Sequence, residues 1–372
     1  MMKIPGLSPL TVTRRRYITR VCVLLLLQLT LVILVLVLNG RGPESGKARG
    51  SGEDPQCWAL HNYGQKIRNV KGIPGADIGS AGLPVKYLKG APVIVGVVDT
   101  GIDYQSNSKT LDLWTNSRDP VDGKDNDHNH LTDDYRGWDF YHNSNRIFHD
   151  QLHDYHGTYI ANEIAKVYPG ARILSSKFLH GTTGDVRDAV KAVRYAVRNG
   201  ASIINCSWSF DEENRELYDI MKRNNNVLFV CAAGNSRIDF DREKVYPAGF
   251  EDQGPDSLDN VISVAAMNNR AEICDVSGYG RRVDLAAPGE NIRVTLSPED
   301  KTFVSGTSVS TAYVSAAAAI LKSRDKQLSP AEIRELLVTG ARKYDSLKSK
   351  CRAGGCLNIR GALEKMKSRK GG

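Results

Sequence analysis

The chain has 372 residues, 41% hydrophobic and 25% charged, with a formal net charge of +8. Such a composition describes an ordinary globular chain. The positive excess falls largely in Arg14–Arg16, Arg20 and the terminal K-M-K-S-R-K, with a middle of mixed sign, so nucleic acid is excluded as an expected partner.

The first predicted element is the apolar run Val21–Leu38, eighteen residues without a charge. It is just long enough to span the hydrocarbon core of a bilayer. Its basic flank predicts a cytoplasmic segment over 1–20 and a single-pass type II arrangement, with the rest luminal or extracellular. After Leu38 comes N-G-R-G instead of a small-x-small cleavage site. An uncleaved signal anchor is therefore preferred over a cleaved signal peptide, and both readings send the chain into the secretory pathway. Residues 39–55 are rich in Gly, Ser and charge and read as a flexible stalk.

About 310 residues remain, from 56 to 366, before a basic tail over 367–372. Here apolar strands alternate with helices. P-V-I-V-G-V-V ending at Asp99 is continuous and apolar, as in a parallel strand covered on both faces. Asp185 opens a helix with Val186, Ala189, Val190, Val193 and Val197 on one side, and Gly200 stops it. Strands follow at Ser202–Cys206, Val227–Cys231 and Val261–Ala265. Ser308 opens a small-residue helix to about Ser323, and Ser329-Pro330-Ala331-Glu332 forms a capping box. The alternation predicts an α/β fold with a doubly wound, mostly parallel sheet and helices on both faces, preceded by one transmembrane helix.

Six cysteines lie outside the apolar run. Cys206 and Cys231 fall in apolar strands and read as buried thiols. Cys351 and Cys356 flank R-A-G-G and could close a small loop, or one could pair with Cys57; spacing leaves this open. The sequon Asn205-Cys206-Ser207 lies in a predicted buried strand and reads as a chance match.

Three short motifs carry the chemistry: Asp99 in D-T-G-I-D, His156 in H-G-T and Ser308 in G-T-S. Taken singly, each has a plain reading as a turn, a surface His at a helix start, or an N-cap. Together they supply an orienting carboxylate, a base and a nucleophile. Asn235, in A-A-G-N at a strand end, would donate an amide to a developing oxyanion. The order Asp…His…Ser is that of subtilisin. With W-A-L-H-N-Y-G-Q, G-A-S-I-I-N-C-S-W-S-F, Y-P-A, D-L-A-A-P-G and G-G-C-L-N-I in the same order, the chain resembles the subtilisin family from about Gln56 to Met366.

That resemblance implies a serine endopeptidase acting through an acyl-enzyme, with Asp99, His156, Ser308 and Asn235 in the roles just given. Ser207-Trp208-Ser209 and the stretch Gly181–Gly184 would flank an extended peptide substrate. The resemblance also implies a cis bond before Pro247. Asp125, Asp127, Asn129, the Leu131 carbonyl and Asp133 follow calcium-loop spacing before G-W-D-F, although His130 replaces the turn Gly and no Glu follows Asp133.

Several positions depart from the family. H-G-T-Y-I-A-N has Tyr159 and Asn162 in place of His and Gly, and G-T-S-V-S-T-A-Y-V-S-A has Ala312, Tyr313 and Ala316 in place of Pro, His and Gly. Overpacking of this kind costs about 1–3 kcal/mol unless neighbours compensate, and the two Tyr exchanges are expected to compensate one another. Ser209 replaces a Gly at the rim of the first specificity pocket. Family members carry a folded pro-segment, yet only about eighteen residues separate Leu38 from Cys57. Unaided folding, a pro-segment-like inhibitor or chaperone in trans, or a truncated gene model would each account for this. The alternative to an active enzyme is an impaired homologue that binds peptides or partners.

Overall fold

The computed structural model describes residues 56–370 except 85, 86, 88, 89, 252 and 253. The expected cytoplasmic segment, anchor and stalk lie outside the described residues. Among those described, no helix is long and apolar enough to cross a membrane.

In chain order the central strands are β1 (Val93–Asp99), β2 (Asp112–Leu113), β3 (Gly137–Asp139), β4 (Ala171–Lys177), β5 (Ile203–Cys206), β6 (Leu228–Ala232), β7 (Val261–Met267), β8 (Leu285–Pro288), β9 (Arg342–Lys343) and β10 (Gly355–Cys356). They form one sheet in the order β9-β10-β8-β7-β6-β5-β1-β4-β2, with β3 also on β4. Every pairing is parallel except β9 with β10. Every residue of β7 is buried, which requires cover on both faces of the sheet. The chain steps from β1 to β4 on one side and to β5 on the other, so the order reverses at β1. Ligands of doubly wound sheets sit at the strand ends beside such a reversal.

Six helices of nine residues or more complete the layers: α1 (Gln151–Val167), α2 (Val186–Arg198), α3 (Arg215–Arg223), α4 (Thr307–Arg324), α5 (Pro330–Thr339) and α6 (Ile359–Lys370). Helix α2 packs on β1 and β4, and α4 lies against α1 and β5 to β8. Thr307 to Leu321 of α4 are all buried, which is why its sequence is small and apolar all round. The expected capping box of α5 is present, with Ser329 and Glu332 bonding reciprocally. The Tyr246–Pro247 peptide is cis.

The departures at the α1–α4 contact have visible partners. Asn162 Nδ2 donates to Asn107 Oδ1 (3.0 Å) and to the Thr295 carbonyl (2.9 Å), offsetting the crowding expected at a former Gly. Tyr313 donates its hydroxyl to Glu163 Oε2 at 2.9 Å, while Tyr159 packs edge-on to His156. Tyr313 is thus compensated through Glu163, a partner the sequence reading did not single out. Burial pushes the Glu163 carboxyl above its ordinary value, with Lys166 at 3.3 Å offsetting part of the effect. A raised folded pKa contributes stability that is full below the ordinary Glu value and is lost as pH rises through the folded one. Glu163→Gln, which keeps an acceptor for Tyr313, is expected to flatten that stretch of the Tm-against-pH curve. An unchanged slope would assign the titration to another group.

Among the described residues no cysteine is joined in a disulfide bridge. Cys206 and Cys231 are buried, as expected, and sit side by side on β5 and β6. Cys351 and Cys356 are buried without a bridge, and Cys57 lies 3.6 Å from Lys166 Nζ. Neither disulfide alternative is formed.

Candidate active site

Asp99 closes β1 at the reversal point and is fully buried. Its Oδ1 accepts the Thr100 N–H at 2.7 Å and faces His156 Nδ1 at 2.7 Å. This bond holds the ring with Nδ1 protonated towards Asp99, leaving Nε2 as the base. The second carboxylate oxygen, Oδ2, is buried with no partner. His156 lies in the second turn of α1, not at the helix start expected from H-G-T. The helix begins earlier because Asp150 caps it, accepting the His153 N–H. Gly157 makes the approach possible, since a Cβ there would meet the Gly101 carbonyl oxygen.

Beneath these residues lies a buried amine that motif reading missed. Lys177 Nζ donates to Asp154 Oδ1 at 2.6 Å, to the Leu179 carbonyl at 2.6 Å and to the Thr100 carbonyl. Both charges of the Lys177–Asp154 pair are inaccessible to water. The pair therefore ties the turn after Asp99 to α1. Its trace in the sequence is no more than a Lys ending the strand Ala171–Lys177.

Ser308 is the second residue of α4. The N-cap is Gly306, with φ 152°, so the plain reading of Ser308 as a cap does not hold. The helix terminus at Ser308 favours developing negative charge. Ser308 Oγ donates to the Ser207 carbonyl at 3.0 Å, and Ser207 Oγ returns a bond to the Ser308 carbonyl at 2.9 Å. Among the described residues no hydrogen bond joins Ser308 to His156. Asn235 is exposed at the end of β6. Its Oδ1 accepts the Thr307 N–H (2.9 Å) and hydroxyl (3.0 Å), which leaves Nδ2 as the free donor.

The two expected substrate edges flank this centre. Trp208 is buried, donating Nε1–H to the Val98 carbonyl at 2.8 Å, and Ser209 is exposed beside Gly234. Gly181 and Gly184 belong to a short hairpin, Leu179–His180 with Thr183–Gly184. The Gly181 N–H is anchored to the His153 carbonyl of α1 at 3.0 Å.

In the acidic loop, Asp125 and Asp133 turn their carboxylates to backbone N–H groups. Asp125 accepts from Asn129 and His130, and Asp133 accepts from Asp122 and Gly123. Asn129 Oδ1 accepts the Leu131 N–H. Asp127 differs, because its Oδ1 is buried with no partner. Asn116 Nδ2 joins Asp127 Oδ2 (3.0 Å) to Asp134 Oδ1 (2.6 Å), and Asp134 is fully buried. Burial pushes the Asp134 carboxyl above its ordinary value. The inward-facing acids are therefore Asp127 and Asp134. Among the described residues, Asp125, Asp127 and Asp133 do not bring three ligand atoms together.

Comparison with known proteins agrees with this fold. The profile described as Subtilase family matches residues 90–354. The chain is 30% identical over 286 residues to the major intracellular serine protease of Bacillus subtilis (strain 168), covering 71% of this chain and 80% of that protein. It is 29% identical over 263 residues to the thermophilic serine proteinase of Bacillus sp. (strain AK1), covering 67% of this chain and 56% of that one. Among solved structures, the A-subunit of the AB5 toxin from E. coli aligns with a TM-score of 0.61 at 25% identity, over 76% of this chain and 96% of that one. The chain belongs to the subtilase family.

Proposed function

We propose that this subtilase is an active serine endopeptidase. The observation that carries the reading is the 2.7 Å bond from His156 to buried Asp99, in a chain that also sets Ser308 in the first turn of α4. Ser308 Oγ attacks the scissile carbonyl carbon while its proton passes to His156 Nε2. The Ser308 N–H and Asn235 Nδ2 stabilise the oxyanion. Collapse breaks the C–N bond, His156 protonates the departing amine, and water attacking by the same route releases the acid. The substrate is an extended peptide lying between Ser207–Ser209 and Gly181–Gly184. Labelling of the purified protein by a fluorophosphonate probe tests the reading. Loss of label in Ser308→Ala supports it, and no label on demonstrably folded protein overturns it. The bond from Ser308 to Ser207 favours a second reading, an impaired homologue that binds peptide without cleaving it.

The same proposal places the catalytic domain on the luminal or extracellular side of a membrane, anchored through Val21–Leu38, and regulated by a pro-segment-like inhibitor in trans. Calcium is proposed in the acidic loop, where the unpartnered Asp127 Oδ1 suits a hard cation that takes six to eight oxygens. Chelation is expected to lower Tm, with calcium alone restoring it in the wild type but not in Asp127→Asn. A Tm indifferent to both removes calcium from the account.

A further inference from the structure

The loop from Asp139 to His149 gathers two imidazoles on one buried carboxylate, and no step of the proposed reaction uses them. Asp139 ends β3 and is inaccessible to water. Its Oδ1 accepts the N–H groups of Tyr141 (2.9 Å) and His142 (3.0 Å), which fixes the carboxylate plane. Its Oδ2 then faces His142 Nδ1 at 2.7 Å and His149 Nε2 at 2.8 Å. The three ligand atoms lie within 4.8 Å of one another. The rings stand 4.2 Å apart, and both reach solvent, with side chains 34% and 21% exposed.

We infer that Asp139, His142 and His149 form a binding site for a borderline divalent cation of the zinc class. One carboxylate with two imidazoles is the donor set that zinc accepts, with a fourth position left to water. Calcium and magnesium, which require oxygen-rich shells, fit it poorly. Metal–ligand bonds of about 2.0–2.1 Å place tetrahedral ligands roughly 3.3 Å apart, so the 2.7 and 2.8 Å separations from Asp139 need only a small outward adjustment. Binding requires the tautomer of each imidazole in which the nitrogen facing Asp139 is bare, so the proton it carries there moves by exchange with solvent to the other ring nitrogen. The Oδ1 bonds supply the outer support that metal-ligating carboxylates require. A neighbouring trio, Asp150, His153 and His180, is weaker because Asp150 is exposed and already caps α1.

The position has a consequence for the catalytic centre. The His149 N–H donates to Asp154 Oδ2 at 2.6 Å, and Asp154 is the carboxylate that pairs with Lys177 beneath Thr100. An ion at His149 therefore fastens the segment leading into α1, one hydrogen bond from the support of Asp99.

The experiment takes untagged protein stripped of metal, held in excess calcium, and titrated with Zn²⁺ and Co²⁺. Expected are a rise in Tm with Zn²⁺ and visible Co²⁺ d–d absorption of low-coordinate type. Both should weaken by at least roughly tenfold in apparent affinity in His142→Ala and in His149→Ala, and persist in His153→Ala. His142 is the most exposed of the three, so its variant remains folded and informative if Asp139→Asn does not. No Zn²⁺ response in the wild type, or a response in either His variant as strong as that of the wild type, overturns the site.

Discussion

Ser308→Ala is expected to lower kcat for a peptide substrate by about 10⁵–10⁶-fold, and the Asp99/His156/Ser308 triple variant by no more. Residues that act as one unit lose their effect together, because a base without a nucleophile has nothing to activate. Asp99→Asn should cost about 10⁴-fold, since an amide at the 2.7 Å contact no longer holds the protonated Nδ1 tautomer. Asn235→Ala should cost about 10²–10³-fold, the usual loss of one oxyanion donor. Its oxygen also accepts from Thr307, so a shift of the α4 terminus would add to that figure. Strictly additive losses across the three triad positions would contradict a concerted unit. Retained hydrolysis in Ser308→Ala would move the nucleophile elsewhere.

Arg334→Met is expected to be the most damaging single change to stability, at about 3–5 kcal/mol. Arg334 of α5 makes a bidentate contact with Asp284, at 2.9 and 2.8 Å, and also bonds Glu251. Both acids are fully buried as side chains, whereas their other cation, Arg352, is 42% exposed. Removing Arg334 takes the buried guanidinium from two like charges held away from water, where half-exposed Arg352 and the neutral donors of Ser263 replace little of it. Urea unfolding at neutral pH reads the loss. A cost below about 1 kcal/mol would mean that water or Arg352 satisfies both carboxylates.

Much of this architecture was legible beforehand. Continuous apolar runs marked β1, β5, β6 and β7, and the motif order marked the residues at their ends. The Ser329 capping box fixed the start of α5 to the residue. What escaped depends on rotamers and on left-handed backbone. H-G-T suggested a helix start, but Asp150 caps α1 a turn and a half earlier. In the acidic loop His128, His130 and Asp133 adopt φ of 57°, 71° and 59°, and the spacing did not single out the fully buried Asp134. The rotamer of Ser308 leaves no trace in sequence at all. The histidine cluster did leave one, four His within His142–His156, but only the fold of the loop from Asp139 to His149 decides which share a carboxylate.

The contact between α1 and α4 also constrains how such a chain can change. Glu163 without Tyr313 is a buried acid that loses one donor and is left to Lys166, and Tyr313 without Glu163 is a buried hydroxyl lacking that acceptor. Asn162 likewise holds Asn107 and the Thr295 carbonyl, groups that a Gly would abandon. Restoring the family's usual residues one at a time therefore passes through variants worse than either endpoint. These positions form a linked set whose members have to be exchanged together, so grafting a relative's H-G-T helix into this protein would succeed only with its partner segment carried along.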